Sequence, residues 1–254
     1  MELDLQEQAN RFASQQTRVA RALVGDDCPA FVAIEVAGSD AFTVRQEPAS
    51  GLVLRDGTNR PLLRLEVRYE CVLDGHRTYL AIEKAEVHVF VEPDGRSPLF
   101  RYEYVRNLRD KLPCAHIQFH GTHAELEARM ADAGDSTPRA KKRKNGKRPV
   151  LLSDLHFPVG GPRFRPPLED VLAMLIVEFG VKPNGHSVKK ALDFLASERE
   201  QWRRTQVAVV VRDAPSKAVD TLRDLGYVVK WPWWRRVLRC QTEPNDNVKK
   251  LRRL

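Results

Sequence analysis

The sequence contains no apolar run of about 18 residues, the length a helix needs to cross a bilayer. A membrane-spanning helix is therefore not expected. Its four cysteines, Cys28, Cys71, Cys114 and Cys240, stand far apart and form no Cys-x-x-Cys pair. That argues against a dense disulfide scaffold and against a cysteine zinc motif, and it suits a reducing cytoplasm. The opening residues, MELDLQEQANRF, carry acids and lack the apolar centre of a secretion signal. There is no internal repeat. Gly-x-Ser-x-Gly, His-Glu-x-x-His, the dinucleotide fingerprint and the Lys-Ser/Thr of a phosphate loop are all missing, which removes the commonest motif-bearing hydrolases and nucleotide binders.

The net charge is +8, but it is unevenly placed. Arg139 to Arg148 (RAKKRKNGKR) contributes +7, and the stretch from Lys230 to Leu254 contributes +6. Taking both from the total leaves the rest of the chain at −5. The basicity thus belongs to one internal run and one tail, not to the body. Such segments bind RNA, DNA or another polyanion with strong salt dependence, or simply act as solvated linkers. Lys141, Lys142, Arg143, Lys144, Arg235 and Arg236 are the nucleic-acid-binding candidates.

Leu5, Ala9, Phe12, Val19 and Leu23 recur at helical spacing before Gly25, which predicts an amphipathic helix over residues 3–24. From Ala30 the texture becomes β-like. Asp56-Gly57, Asp74-Gly75 and Asp94-Gly95 separate short alternating runs, and Asp-Gly tolerates the positive φ angles of tight hairpins. Leu63, Leu65, Val67 and Tyr69 alternate with Arg64, Glu66, Arg68 and Glu70, so one face is packed and the other wet. This pattern predicts an antiparallel meander with the first helix on its packed face. A short helix is expected at 124–133. Residues 134–150 hold almost no large apolar side chain and read as a basic flexible linker.

Beyond the linker, Leu168, Val171, Leu172, Leu175, Ile176 and Phe179 form the clearest helical stripe, with Pro167 at its start and Gly180 at its stop. Residues 187–212 keep a helical phase through Trp202, although QVAVVV alone reads as a strand and would permit a small βαβ unit. Another helix is expected from Pro215 to Leu225. The expected fold is α+β: residues 1–133 as helix and antiparallel sheet, and residues 151–254 as a mainly helical part ending in a basic, tryptophan-rich tail.

The densest polar stretch is FRYEYVRNLRDKLPCAHIQFHGTH, residues 100–123. In strands, alternate residues share a face, which groups Arg101 with Glu103, Tyr102 with Tyr104 and Arg106, and His116 with Gln118 and His120. Neighbouring strands could bring the histidines beside Arg101 and Glu103, or beside the tyrosines. Histidine with arginine and tyrosine suits proton transfer and charge stabilisation in metal-independent RNA cleavage. The candidate catalytic residues are His116, His120, Arg101 and Tyr104, with Arg106 a second choice for the phosphate. On a straight strand His116 and His120 stand about 13 Å apart, too far to share one ion. His120 and His123 could share one across Gly121. No metal or cofactor is expected.

Strands, then the RYEY strand, a variable loop, and a strand carrying His-x-x-x-His: this order resembles a family of small bacterial toxin-antitoxin toxins, in which an Arg-Tyr-Asp strand precedes a His-rich strand. The resemblance covers residues 60–125. It departs from the pattern where Glu103 stands in place of the aspartate and where the histidine spacing is looser. The phrases LHFPVGG, RFRP and LEDVL are similar to those of uncharacterised proteins of high-GC bacteria. Together these resemblances imply a bacterial cytoplasmic protein, a ribonuclease or regulatory role on RNA, and an antitoxin-like partner.

A second candidate lies in SDLHFPVGGPRFRPPLED, residues 153–170. Gly160 and Gly161 can expose backbone N–H groups, and Arg163 and Arg165 precede a helix start, which are the parts of an anion site. Pro162, Pro166 and Pro167 remove donors from that place. The alternative is a stiff approach to the helix, with Arg163 and Arg165 paired to carboxylates of the sheet domain. The competing function is a non-enzymatic interaction module holding a protein or anionic partner at Arg163 and Arg165.

Overall fold

The computed structural model describes residues 4–74, 79–93, 95–106, 112–132, 136–146 and 148–230. Helix α1, Leu5–Val24, starts at Asp4, whose side chain accepts from the Glu7 N–H at 2.7 Å and so satisfies one free donor of the first turn. Its buried face includes Ala9, Ala13, Val19, Ala20 and Leu23.

Strands β1 (Phe31–Glu35), β2 (Ala41–Gln46), β3 (Leu52–Arg55), β4 (Pro61–Leu73), β5 (Leu80–Val91), β6 (Pro98–Val105) and β7 (Ala115–Phe119) follow. Helices α2 (Ala124–Ala131) and α3 (Pro138–Lys144) precede a 3-10 turn at Leu152–Asp154 and the short edge strand β8 (Phe157–Pro158). The chain continues with α4 (Gly161–Phe164), α5 (Leu168–Phe179), α6 (Val188–Asp213) and α7 (Pro215–Asp224). The sheet is antiparallel throughout, in the order β1-β2-β4-β5-β6-β7-β8. Strand β3 pairs with β4 as well. The length of β4 explains this: its first half pairs with β3 and its second half with β2.

The alternation read along β4 holds. Leu63, Leu65, Val67, Tyr69 and Cys71 are buried, and α1 lies over that face. Phe12 meets the Tyr69 ring edge-on at 4.9 Å, and the Tyr69 hydroxyl donates to Gln16 at 2.9 Å. Helices α5 and α6 complete the layer through Val171, Leu172, Leu175, Ala191 and Leu195. The buried cluster runs unbroken from sheet to α1, α5 and α6, so stretches before and after residues 134–150 share one core. Each of the fully buried leucines contributes about 1.5–3 kcal/mol by leaving water.

The stretch expected to be a flexible linker contains α3. Its order comes from outside itself: Thr137 caps it, Ala140 is buried, and Arg139 and Arg143 both donate to the Asp154 carbonyl. The strand alternative for QVAVVV is not adopted; those residues continue α6 to Asp213. No helix among the described residues is long and apolar enough to cross a membrane. Cys28, Cys71 and Cys114 are buried free thiols.

Candidate functional site

The register of five strands builds a polar field on the face opposite α1. Directly opposed residues on antiparallel strands share a face. One row therefore runs Arg45–Arg68–Glu86–Glu103–His116, and the next runs Glu66–His88–Arg101–Gln118. Of the alternatives left open by the sequence, the histidines stand with Arg101 and Glu103. Tyr104 is on the other face, buried and opposite Ala115, and its hydroxyl pKa is raised by burial. It is separated from the histidines by the sheet itself. Arg106 lies 3.8 Å from Glu83.

Glu103 is the hub of this field. His116 donates to it at 3.2 Å, Arg101 lies 3.3 Å away, and His88 lies 3.8 Å away. Burial by itself would raise the Glu103 carboxyl; the His116 hydrogen bond, His88 and Arg101 reverse that and hold it well below the usual carboxylate range. The other ring nitrogen of His116 donates to the Pro113 carbonyl at 2.9 Å. Both nitrogens of this fully buried ring thus face oxygen acceptors. Neither nitrogen is left for a substrate, so His116 acts as a strut within the fold.

Gln118 is equally committed. Its Oε1 accepts from Arg101 at 2.6 Å, which sets the amide orientation. Its Nε2 then donates to the Ser153 carbonyl and to His156 Nε2, both at 2.8 Å. His156 Nδ1 faces the Asp154 carbonyl and the Arg139 guanidinium, both at 3.1 Å. Burial, then the neighbouring His116 and Arg139, push the His156 pKa down to about 4, and the ring is neutral at pH 7. The His156 ring packs 4.6 Å from that of His116. His156 was assigned no role from the sequence; only its ladder partner β7 reveals its place.

Two imidazoles remain available. His88 Nε2 and His120 Nε2 are shielded from solvent, and neither has a hydrogen-bond partner. Burial, then Arg101 and His88, lower the His120 pKa. His120 follows β7 directly and precedes exposed Gly121 and Thr122.

Beside this field, α3 and residues 148–156 enclose a cleft lined by Arg139, Lys142, Arg143, Arg148, Asp154 and His156. Four cations surround one carboxylate, and Arg148 already binds that carboxylate through both oxygens. Lys142 and Arg143, named from the sequence, line this cleft. Lys141 is exposed on the same helix. The Lys144 side chain, Arg235 and Arg236 lie outside the described residues.

The Gly-Gly stretch is arranged differently. Gly160 and Gly161 have φ of 64° and 60°, and a Cβ on Gly160 would lie 2.0 Å from the Phe164 carbonyl oxygen. Only glycine fits that turn. Arg163 pairs with buried Asp213 on α6 through Nε at 3.0 Å and Nη2 at 2.9 Å. The Arg165 guanidinium lies 4.1 Å above the Tyr104 ring and 5.8 Å from Trp202. Arg163 therefore ties α4 to α6, and Arg165 bridges the sheet and α6. The partner foreseen for them was a sheet carboxylate; the structure uses a helix carboxylate and two aromatic faces.

Comparison of the chain with family models, with curated proteins and with solved structures gives no match.

Proposed function

We propose that this chain is an RNA-directed protein of toxin-like or regulatory type, which grips a phosphate backbone in the cleft between α3 and residues 148–156. One observation carries the reading. Two independent sequence signals, the basic run and the histidine-bearing strands, meet at His156, which lines the cleft and connects through Gln118 to Arg101. A cleft with several cations and one satisfied carboxylate attracts polyanions without reading their sequence.

In the cleaving form of this proposal, His120 transfers the proton and Arg101 neutralises the phosphate. His120 must turn outward to do so, because its Nε2 is shielded. His116 is excluded from that role by its two hydrogen bonds. An antitoxin-like protein is the partner such an activity calls for. The competing interaction module would have to break the Arg163–Asp213 pair and unstack Arg165, which makes it the weaker reading.

Inducible expression of the wild type and of His120→Ala, scoring growth arrest and RNA integrity, tests the cleaving form. Arrest with RNA loss in the wild type, abolished in the variant, supports it. Harmless expression of both removes it.

A further inference from the structure

The part of the polar field nearest β4 holds an arrangement that the RNA reading does not use. Glu86 and Glu103 are directly opposed across β5 and β6. Like charges in that position repel. His88, two residues from Glu86 on the same strand, shares their face. One donor atom from each of the three lies within 4.8 Å of the other two. The His88–Glu103 separation of 3.8 Å is too long for a hydrogen bond, and His88 Nε2 has no other partner. A shielded nitrogen lone pair without a donor is costly, and so are facing carboxylates; one cation between them relieves both.

We propose that Glu86, His88 and Glu103 form a binding site for a divalent transition-metal ion of the zinc or manganese class. Imidazole with carboxylate is a donor set those ions accept and magnesium disfavours. Donors about 2.1 Å from a tetrahedral ion stand ~3.4 Å apart, so the widest pair must close by up to ~1.4 Å, within reach of combined carboxylate and imidazole rotations. His116 supplies the outer support, since its hydrogen bond to Oε2 leaves Oε1 turned toward His88. Lys84, 2.8 Å from Glu86, and Arg101 are the cations an incoming ion displaces or tolerates, and they moderate its affinity.

Access comes from the side of β2. A cleft lined by Arg45, Gln46, Glu66, Arg68, Glu86 and His88 reaches two of the three donors. Gln46 Nε2, also shielded and without a hydrogen-bond partner, belongs to the same cleft. Three protein donors with room for a water is the pattern of an open zinc site. His120 stays outside the triad, and its role in the RNA reading is unaffected.

This inference does not rest on RNA binding, because it is measured without nucleic acid. The full-length chain, stripped with a chelator that is then removed, is titrated with Zn2+, Mn2+ and Mg2+ by calorimetry. Co2+ loading is followed by visible absorption. One equivalent of Zn2+ or Mn2+, at least tenfold weaker in both His88→Ala and Glu86→Gln and unchanged in His123→Ala, supports the site. Zinc uptake that His123→Ala weakens as much as His88→Ala overturns it, as does the absence of stoichiometric binding by the wild type. Circular dichroism checks each fold; should His88→Ala unfold, Glu86→Gln at its half-buried position decides.

Discussion

Residues that look alike in the sequence carry different loads. Arg163 and Arg148 both bind an aspartate through two nitrogen–oxygen contacts. Asp213 is buried, whereas Arg148 is mostly exposed. Removing Arg163 takes the paired cation from a buried carboxylate, so Arg163→Ala should cost about 3 kcal/mol in urea unfolding. Arg148→Ala, at a solvent-screened pair, should cost much less. An equal cost for the two would show that the Asp213 pair is not the tie between α4 and α6. The histidines give a pH signature. His156 falls from an unfolded value of about 6.5 to about 4 in the fold. The unfolded chain therefore takes up a proton in that window and the folded chain does not. Stability is complete above about pH 6.5 and declines as the pH falls toward 4. The lowered pKa of His120 acts in the same direction. Glu103, held low, adds a further loss below about pH 4.3, where the unfolded carboxyl protonates. Urea midpoints at pH 7.5 and 5 should differ in the wild type and differ less in His156→Gln; an unchanged difference would mean that His156 titrates normally.

At the scale of elements, strong periodicity was readable and weak periodicity was decided by neighbours. The stripes of α1 and α5 and the alternation of β4 lie within contiguous segments, so they identify element and buried face together. QVAVVV could not be assigned from its own residues, because a short apolar run fits either state. Continuation of a helix already anchored by Ala191 and Leu195 settles it. Helix α3 was missed because Ala140 alone is too small a buried residue to mark it; its hydrogen bonds are with Asp154, beyond its own end. The turn before α4 offers a direct test. Gly160→Ala meets the Phe164 carbonyl at 2.0 Å and should cost well over ~2 kcal/mol, whereas Gly38, with φ of 75° and no atom within 4 Å, should cost only about 1–2 kcal/mol as alanine. Equal thermal shifts for the two would contradict the close approach.

For the molecule as a whole, the basic cleft makes a quantitative demand. If Lys142 and Arg143 contact the phosphates of single-stranded RNA, Lys142→Ala with Arg143→Ala should lower the salt slope of log K by about 1.4, at ~0.7 per contact. Fluorescence anisotropy across a salt series reads this directly. An unchanged slope moves RNA, if it binds, to another surface. The fold also imposes a coupling. The cleft residue His156 and the strand-face residue Arg101 share Gln118, so Gln118→Ala should disturb both places, while substitutions in α7 should disturb neither.

The sequence alone determined the α+β class, the packed and wet sides of β4, the main helices and the uneven charge, because each depends on residues near one another along the chain. It also placed Arg101, Glu103, His116 and His120 on candidate strands. Only the tertiary structure decided that His116 is internally satisfied while His88 and His120 are not. It alone decided that Tyr104 faces the other side of the sheet, and that Arg163 and Arg165 are held by α6. The reason is physical: hydrogen-bond satisfaction depends on strand register and on segments many residues away, such as Ser153 for Gln118 and Asp213 for Arg163. Those distances in sequence leave no local pattern to read.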